Sequence, residues 1–300
     1  MTSAIIPPSL SQGDSITLLS TARKIDPSQL DEVIRIITEQ GYIVKLSQNL
    51  LSEDNQYCGS DKQRAADLQQ AINDDNCKAI LCFRGGYGTV RILEKVNFKP
   101  LIASPKWICG YSDVTAIHNA LNGLGLASLH CTMPVNFDSN TEEALTSFFD
   151  HLSGKRVTIK SSPHQFNVTG TCEGLLIGGN LSMLYSLSGT KYDIDTSGCI
   201  LFLEDLDEYL YHVDRMMWNL SLSNKFLNIK GLVIGGVTDM NDNSIPFGKS
   251  AEEIILEHTK PLNIPVCFGF PAGHIDDNRA LAFGKSYTLS ITEQGAELKA

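Results

Sequence analysis

No apolar run in this sequence approaches the roughly 18 residues that a membrane-crossing helix needs, so no spanning segment is expected. Residues 1–10 carry no basic segment followed by an apolar core, so a secretory leader is not expected either. Cysteines number 8, at positions 58, 77, 82, 109, 131, 172, 199 and 267. None forms a CxxC pair, and none gathers with histidine at ligand spacing, which argues against zinc and any other structural metal. Several lie in apolar runs such as Ala79-Ile80-Leu81-Cys82-Phe83 and read as small buried hydrophobes. A disulfide framework suits a small secreted domain far better, so the expectation is a reducing, cytoplasmic setting. Basic charge is in short supply: 24 Lys and Arg against 34 Asp and Glu leave a net charge of −10. That balance excludes a general nucleic-acid binder, whose footprint is basic. No run of five or more like charges marks an interaction tail.

What is present suits a compact enzyme. Hydrophobic residues are 42% of the 300, enough to fill two ordinary domains or one large one. In the first half, strand-like and helix-like stretches alternate. Residues 14–21 read as a buried strand and 29–40 as an amphipathic helix closed by Gly41. Residues 42–46 are a strand, 61–73 a helix, 79–83 a strand, 89–95 the start of a helix, 107–110 a strand and 114–121 a helix. Such alternation predicts a mostly parallel sheet covered on both faces. Residues 138–152 read as helical, and the polar stretch 154–170 as a connection or hairpin. Beyond it, strands at 200–203, 231–234 and 266–268 mix with helices at 211–220 and 249–258, and 280–298 alternates like an antiparallel pair. The expected fold class is α/β: a Rossmann-like parallel-sheet domain (1–160), then a smaller mixed α+β domain (161–300).

Arg84-Gly85-Gly86-Tyr87-Gly88-Thr89 follows a strand and opens the next segment. Its glycines allow positive φ and close backbone approach, and free N–H groups there can hold an anion. The spacing is not that of a dinucleotide fingerprint, and no Gly-Lys-Ser/Thr follows to make a Walker loop. An oxyanion site fits better, because a serine lies one βα unit downstream. That residue, Ser112 in Gly110-Tyr111-Ser112-Asp113, sits between a strand and a helix, where a sharp turn exposes Oγ at the sheet's carboxyl end. Helix capping is the competing reading and stays open on local sequence.

A hydroxyl nucleophile needs a base, usually histidine, and the base an orienting carboxylate. Of 7 histidines, His118 and His130 belong to a helix and a strand end of the first half, and His212 to an amphipathic helix. His151, His164 and His258 read as surface residues. His274, in Phe270-Pro271-Ala272-Gly273-His274, follows a strand and a turn that could hold an imidazole over a neighbouring domain. Carboxylates concentrate in Glu204-Asp205-Leu206-Asp207-Glu208 after a strand, and Asp214-Arg215 reads as a structural ion pair.

Taken in order, these segments resemble the LD-carboxypeptidase family, the S66 serine peptidases. The matching stretches are Gly13-Asp14, Arg84-Gly85-Gly86-Tyr87-Gly88, Gly110-Tyr111-Ser112-Asp113, Gly178-Gly179-Asn180-Leu181, Leu203-Glu204-Asp205 with Asp214-Arg215, Pro271-Ala272-Gly273-His274 and Phe283-Gly284. The resemblance implies a serine carboxypeptidase that releases the terminal D-Ala of murein tetrapeptides across an L,D bond in wall recycling, without metal or organic cofactor. It implies Ser112 as nucleophile, His274 as base and Glu204 as orienter, with Glu208 as the fallback. It implies an oxyanion hole from the N–H of Asp113 and one from Gly85-Gly86, taken as Gly86, each donor lowering the barrier by about 3 kcal/mol. Arg84, Gly85 and Tyr87 are the substrate-binding candidates, with Arg215 a further cation for a substrate carboxylate. The implied partner is a small peptide and the implied assembly a homodimer. The family also contains microcin C self-immunity peptidases, so a peptidyl-nucleotide substrate is the alternative; a non-catalytic ligand-binding module is another. Two stretches depart from the family pattern: His130-Cys131-Thr132-Met133 where His-Gly-Pro-Met is common, and Ser20-Thr21-Ala22 where a small residue, Pro and Ser are usual.

Overall fold

A computed structural model describes residues 4–300; of the segment read above for a leader, residues 1–3 lie outside it. The first sheet has 6 strands in the order β11-β5-β4-β3-β1-β2. Here β1 is Ser15–Leu19, β2 Ile43–Leu46, β3 Cys77–Cys82, β4 Trp107–Gly110, β5 Ser128–His130 and β11 Leu281–Phe283. β1 to β5 pair in parallel, and β11 joins β5 antiparallel. The short apolar runs of β1, β3 and β4 are buried because helices cover both faces, as parallel sheets require. Helices α1 (Leu30–Glu39) and α5 (Glu142–Leu152) pack on one face, α2 (Asp61–Asn73) and α4 (Thr115–Asn122) on the other. α2 starts where the sequence says it should, at a capping box between Ser60 and Gln63. One short helix, α3 (Pro100–Ala103), completes this half.

The second sheet has 7 strands in the order β10-β9-β8-β7-β12-β13-β6. They are β6 (Thr158–Ser161), β7 (Gly170–Asn180), β8 (Cys199–Leu206), β9 (Gly231–Thr238), β10 (Val266–Cys267), β12 (Ser286–Thr292) and β13 (Gly295–Lys299). Its β7 to β10 side is parallel and its β7-β12-β13-β6 side antiparallel, which makes it mixed. Helices α6 (Leu181–Leu187), α7 (Leu210–Leu222) and α8 (Ala251–Thr259) contribute to the apolar layer on one face. The other face buries Phe202 and Phe270 against Leu281 and Phe283 of β11, at the first sheet's edge.

Some elements differ from the sequence reading. The segment after the glycine-rich turn forms two 3-10 turns, Thr89–Arg91 and Leu93–Lys95, instead of an α-helix. Thr89 is held from outside: its N–H donates to the Asp113 carboxylate and its hydroxyl bonds that of Thr21. Tertiary anchors thus set the start of this segment. β7 is a strand that the sequence does not announce, and β6 falls in the stretch that reads as a connection or hairpin. β7 opens on glycine and mixes Thr, Cys and Glu into its first half, while β6 pairs with β13 far along the chain and not with a hairpin neighbour.

Candidate active site

Ser112 stands two residues beyond Gly110, the last residue of β4, with φ of 62°. Left-handed backbone at a non-glycine residue costs about 1–3 kcal/mol and persists only where its surroundings enforce it. This strained strand-to-helix turn turns Oγ outward, past the strand end. The serine makes no capping bond; its Oγ lies 3.2 Å from Nε2 of His274. Nδ1 of His274 lies 2.6 Å from Oε2 of Glu204. A carboxylate can only accept, so Nδ1–H donates to Glu204 and Nε2 is left to accept the serine hydroxyl. The three residues come from both sheets, 162 and 70 positions apart in the chain.

Each partner is aimed by its element. β8 does not end at Glu204 as the sequence suggested; it continues to Leu206, with a register shift between Leu203 and Asp205. A bulge at that point re-aims the side chain, and Glu204 is fully buried beneath the imidazole. His274 lies on the connection from β10 in the second sheet to β11 in the first. Gly273, at φ 101°, brings that connection down onto Glu204: a Cβ there would lie 2.7 Å from Glu204 Cβ and 2.9 Å from its Oε2. The Gly273 N–H donates to Asn278 at 2.8 Å. The Tyr111 ring backs the imidazole, centroid to centroid 4.8 Å.

The electrostatics favour a proton acceptor. Burial disfavours charge on His274, but the adjacent Glu204 carboxylate, by charge and hydrogen bond, and the charge of Asp205 outweigh it. The net effect holds His274 above its usual pKa. Asp205 is pushed up to about 6 by burial and by the charge of Glu204. It ties the site together by accepting from Asn180 Nδ2 at 2.8 Å and from Ser182 N–H at 2.9 Å. Asn180 N–H in turn donates to Thr115 Oγ1 at 3.1 Å, which joins the helix after Ser112 to the second sheet.

The glycine-rich turn lies against the serine. A Cβ on Gly85 would sit 3.2 Å from Ser112 Cβ and 3.3 Å from its Oγ. Asp113 holds this turn: its buried carboxylate accepts the Thr89 N–H at 2.8 Å. Among the described residues, the N–H groups of Gly86 and Asp113 have no acceptor within the protein. Arg84 donates to the backbone oxygen of Lys24, and Tyr87 is exposed beside Tyr57. A hydroxyl, an imidazole, a carboxylate and free N–H groups in this order can carry out acyl transfer.

The fallback carboxylate is elsewhere. Glu208 pairs with Nδ1 of His212 at 2.6 Å and accepts from Ser182 at 2.7 Å. Asp214 faces His258, and Arg215 stacks over Tyr211, so Asp214-Arg215 is not the ion pair expected. His151 is not a surface residue either; it is buried and bonded to the Ala280 oxygen, because α5 packs on the connection that carries His274. Thr115 and Asn278 had no sequence signal. Asn180 had one, the Gly178-Gly179-Asn180-Leu181 stretch, but no role was attached to it. Among the described residues no group of His, Cys, Asp and Glu is arranged to hold a metal ion.

Known proteins share this architecture. Residues 16–131 match the model of the LD-carboxypeptidase N-terminal domain, and residues 173–289 that of the LD-carboxypeptidase C-terminal domain. A "probable murein peptide carboxypeptidase" of Bacillus subtilis is 33% identical, across 98% of this chain and 94% of its own. The crystal structure of muramoyltetrapeptide carboxypeptidase from Oxalobacter formigenes superposes with a TM-score of 0.87 at 28% identity, covering 95% of this chain and 98% of that one. An MccF-like protein from Bacillus anthracis superposes with a TM-score of 0.84 at 27% identity, over 99% of both chains.

Proposed function

This chain belongs to the LD-carboxypeptidase family and is a peptidase, and we propose that it removes the C-terminal D-Ala of murein tetrapeptides. Within that reading, residues 1–160 supply the nucleophile and residues 161–300 the base and its carboxylate. The observation that carries the reading is the unbroken line from Ser112 Oγ through His274 to Glu204.

Ser112 Oγ attacks the carbonyl of the L,D bond while His274 Nε2 takes its proton. Glu204 accepts from Nδ1–H, holds the required tautomer and balances the imidazolium that forms. The oxyanion of the tetrahedral intermediate lies between the N–H groups of Gly86 and Asp113. His274 then gives its proton to the leaving amine of D-Ala, and water repeats the sequence on the acyl-enzyme.

A peptidyl-nucleotide substrate is the second reading, and the likeness to the MccF-like protein favours it. A nucleobase needs an aromatic platform. Trp107 is buried with its indole N–H given to the Pro8 oxygen, and Trp218 lies edge-on against His258. The relatives named for murein peptides weigh toward the murein substrate. The intact triad weighs against a non-catalytic ligand-binding module. The free thiols of 58, 77, 82, 109, 131, 172, 199 and 267 support a cytoplasmic location, and a homodimer is the proposed assembly. Mass spectrometry of murein tetrapeptide incubated with the protein tests the substrate. Tripeptide plus free D-Ala is the expected product pair; an intact tetrapeptide, or cleavage at another bond, contradicts the proposal.

A further inference from the structure

Five cations surround the rim formed by the glycine-rich turn and the loop after β1, and three of them are already committed. Lys24 pairs with Glu53, and Arg64 and Arg91 both pair with Asp61. Arg23 and Arg84 have no carboxylate within 4.0 Å among the described residues. They nonetheless stand close enough that the charge of Arg23, after burial, lowers the pKa of Arg84. Two guanidiniums held together without a counter-ion are a poor arrangement for an isolated protein and a good one for an anion that arrives.

Their placement is built. The Arg23 backbone bridges to Tyr57, and its oxygen accepts the Ser20 hydroxyl at 2.7 Å. Its side chain lies across Gly86, where a Cβ would fall 2.5 Å from Arg23 Cδ and 2.7 Å from Nε. Arg84 is fixed by its bond from Nη1 to the Lys24 oxygen at 3.2 Å. A continuous contact therefore runs from Ser112 to Gly85, and from Gly86 to Arg23. A peptide whose last amide is attacked by Ser112 has its terminal carboxylate only three bonds from the scissile carbonyl, about 4 Å away. With the carbonyl oxygen at Gly86 and Asp113, the Arg23 side chain packed on Gly86 is the cation nearest in contact with that turn, and Arg84 is the residue that precedes Gly85.

We infer that Arg23 and Arg84 together bind the terminal carboxylate of the substrate, which makes them the determinants of exopeptidase action; this rests on the carboxypeptidase reading of the same site. The planar guanidinium fork matches both oxygens and the charge of a carboxylate, whereas a carboxamide offers it one acceptor and no charge.

The test uses the murein tetrapeptide and its C-terminal carboxamide, titrated calorimetrically into full-length Ser112→Ala protein. The carboxylate peptide is expected to bind about tenfold or more tightly than the amide. Adding Arg23→Gln and Arg84→Gln is expected to bring the two within about twofold of each other. Because the two peptides are compared on one sample, a partly unfolded variant cannot mimic that loss. An unchanged ratio in the double variant, equal binding by the parent, or no binding of either peptide overturns the proposal. Wild-type turnover separates the two readings. If no D-Ala is released while the binding ratio and its loss persist, the murein reading fails and the carboxylate site stands.

Discussion

Ser112 and His274 stand out in the sequence as candidates because a strand-to-helix turn and a Pro/Gly turn precede them, although local sequence leaves helix capping open for Ser112. The choice of Glu204 over Glu208 was only a preference there, because a bulge in β8 and the partner of Glu208 are invisible in one dimension. The arrangement has a pH signature. Since His274 sits above its usual pKa and must be neutral to accept a proton, kcat/KM should rise with pH through an acid limb above about 6.5. In Glu204→Gln the raising charge is gone and burial still disfavours the imidazolium, so the limb should move to lower pH. The rate should also fall on the order of 10³- to 10⁴-fold, as when an orienting carboxylate is lost. A pH–rate profile with the limb in the same place in both proteins would contradict the pairing. Gly273 offers a steric test. An alanine there forces Cβ toward Glu204 at a backbone φ of 101°, and should cost about 10²-fold or more in turnover by displacing the imidazole. Wild-type turnover in Gly273→Ala would show that the connection has room to spare.

Elements with strong local signals were read closely: α2 and β4 have the bounds that capping and apolar patterning predict. Elsewhere tertiary contacts override local preference. The segment after Gly88 is shaped by Asp113 and Thr21, and β6 and β7 are strands because their neighbours pair with them. Asp113 exerts its effect at this scale. Its side chain couples the turn that carries the nucleophile to the turn that carries Gly85 and Gly86. Asp113→Ala would leave the buried Thr89 N–H without an acceptor, at a cost of about 1–3 kcal/mol. Turnover should fall by up to about 10²-fold, the scale of one oxyanion donor, because the turn that carries the Gly86 N–H loses its anchor while the N–H of residue 113 remains. Chemical denaturation and kcat together check this: a stability loss with unchanged kcat would make Asp113 structural only.

Across the whole molecule, the two sheets exchange strands. β11 comes from the C-terminal half to close the β5 edge of the first sheet, and residue 160 lies inside β6, which closes the second. The same crossing carries His274 over Ser112, and α5 fastens it through His151 and Ser147 to Ala280. The alternation over 280–298 reads as one antiparallel pair and does not tell that its first 3 residues, β11, leave for the first sheet. A fragment of residues 1–160 should therefore expose the β5 edge and fail to give a monodisperse folded species by gel filtration and circular dichroism. A stable, soluble fragment would show that β11 is dispensable to the first sheet. The central claim is that hydrolysis runs through one serine placed by this crossing. Its most direct measurement is D-Ala release from murein tetrapeptide by the wild-type protein and by folded Ser112→Ala. Release by the first and a loss on the order of 10⁶-fold in the second are expected, the scale of losing a triad nucleophile; turnover near wild type in Ser112→Ala would mean that another group is the nucleophile.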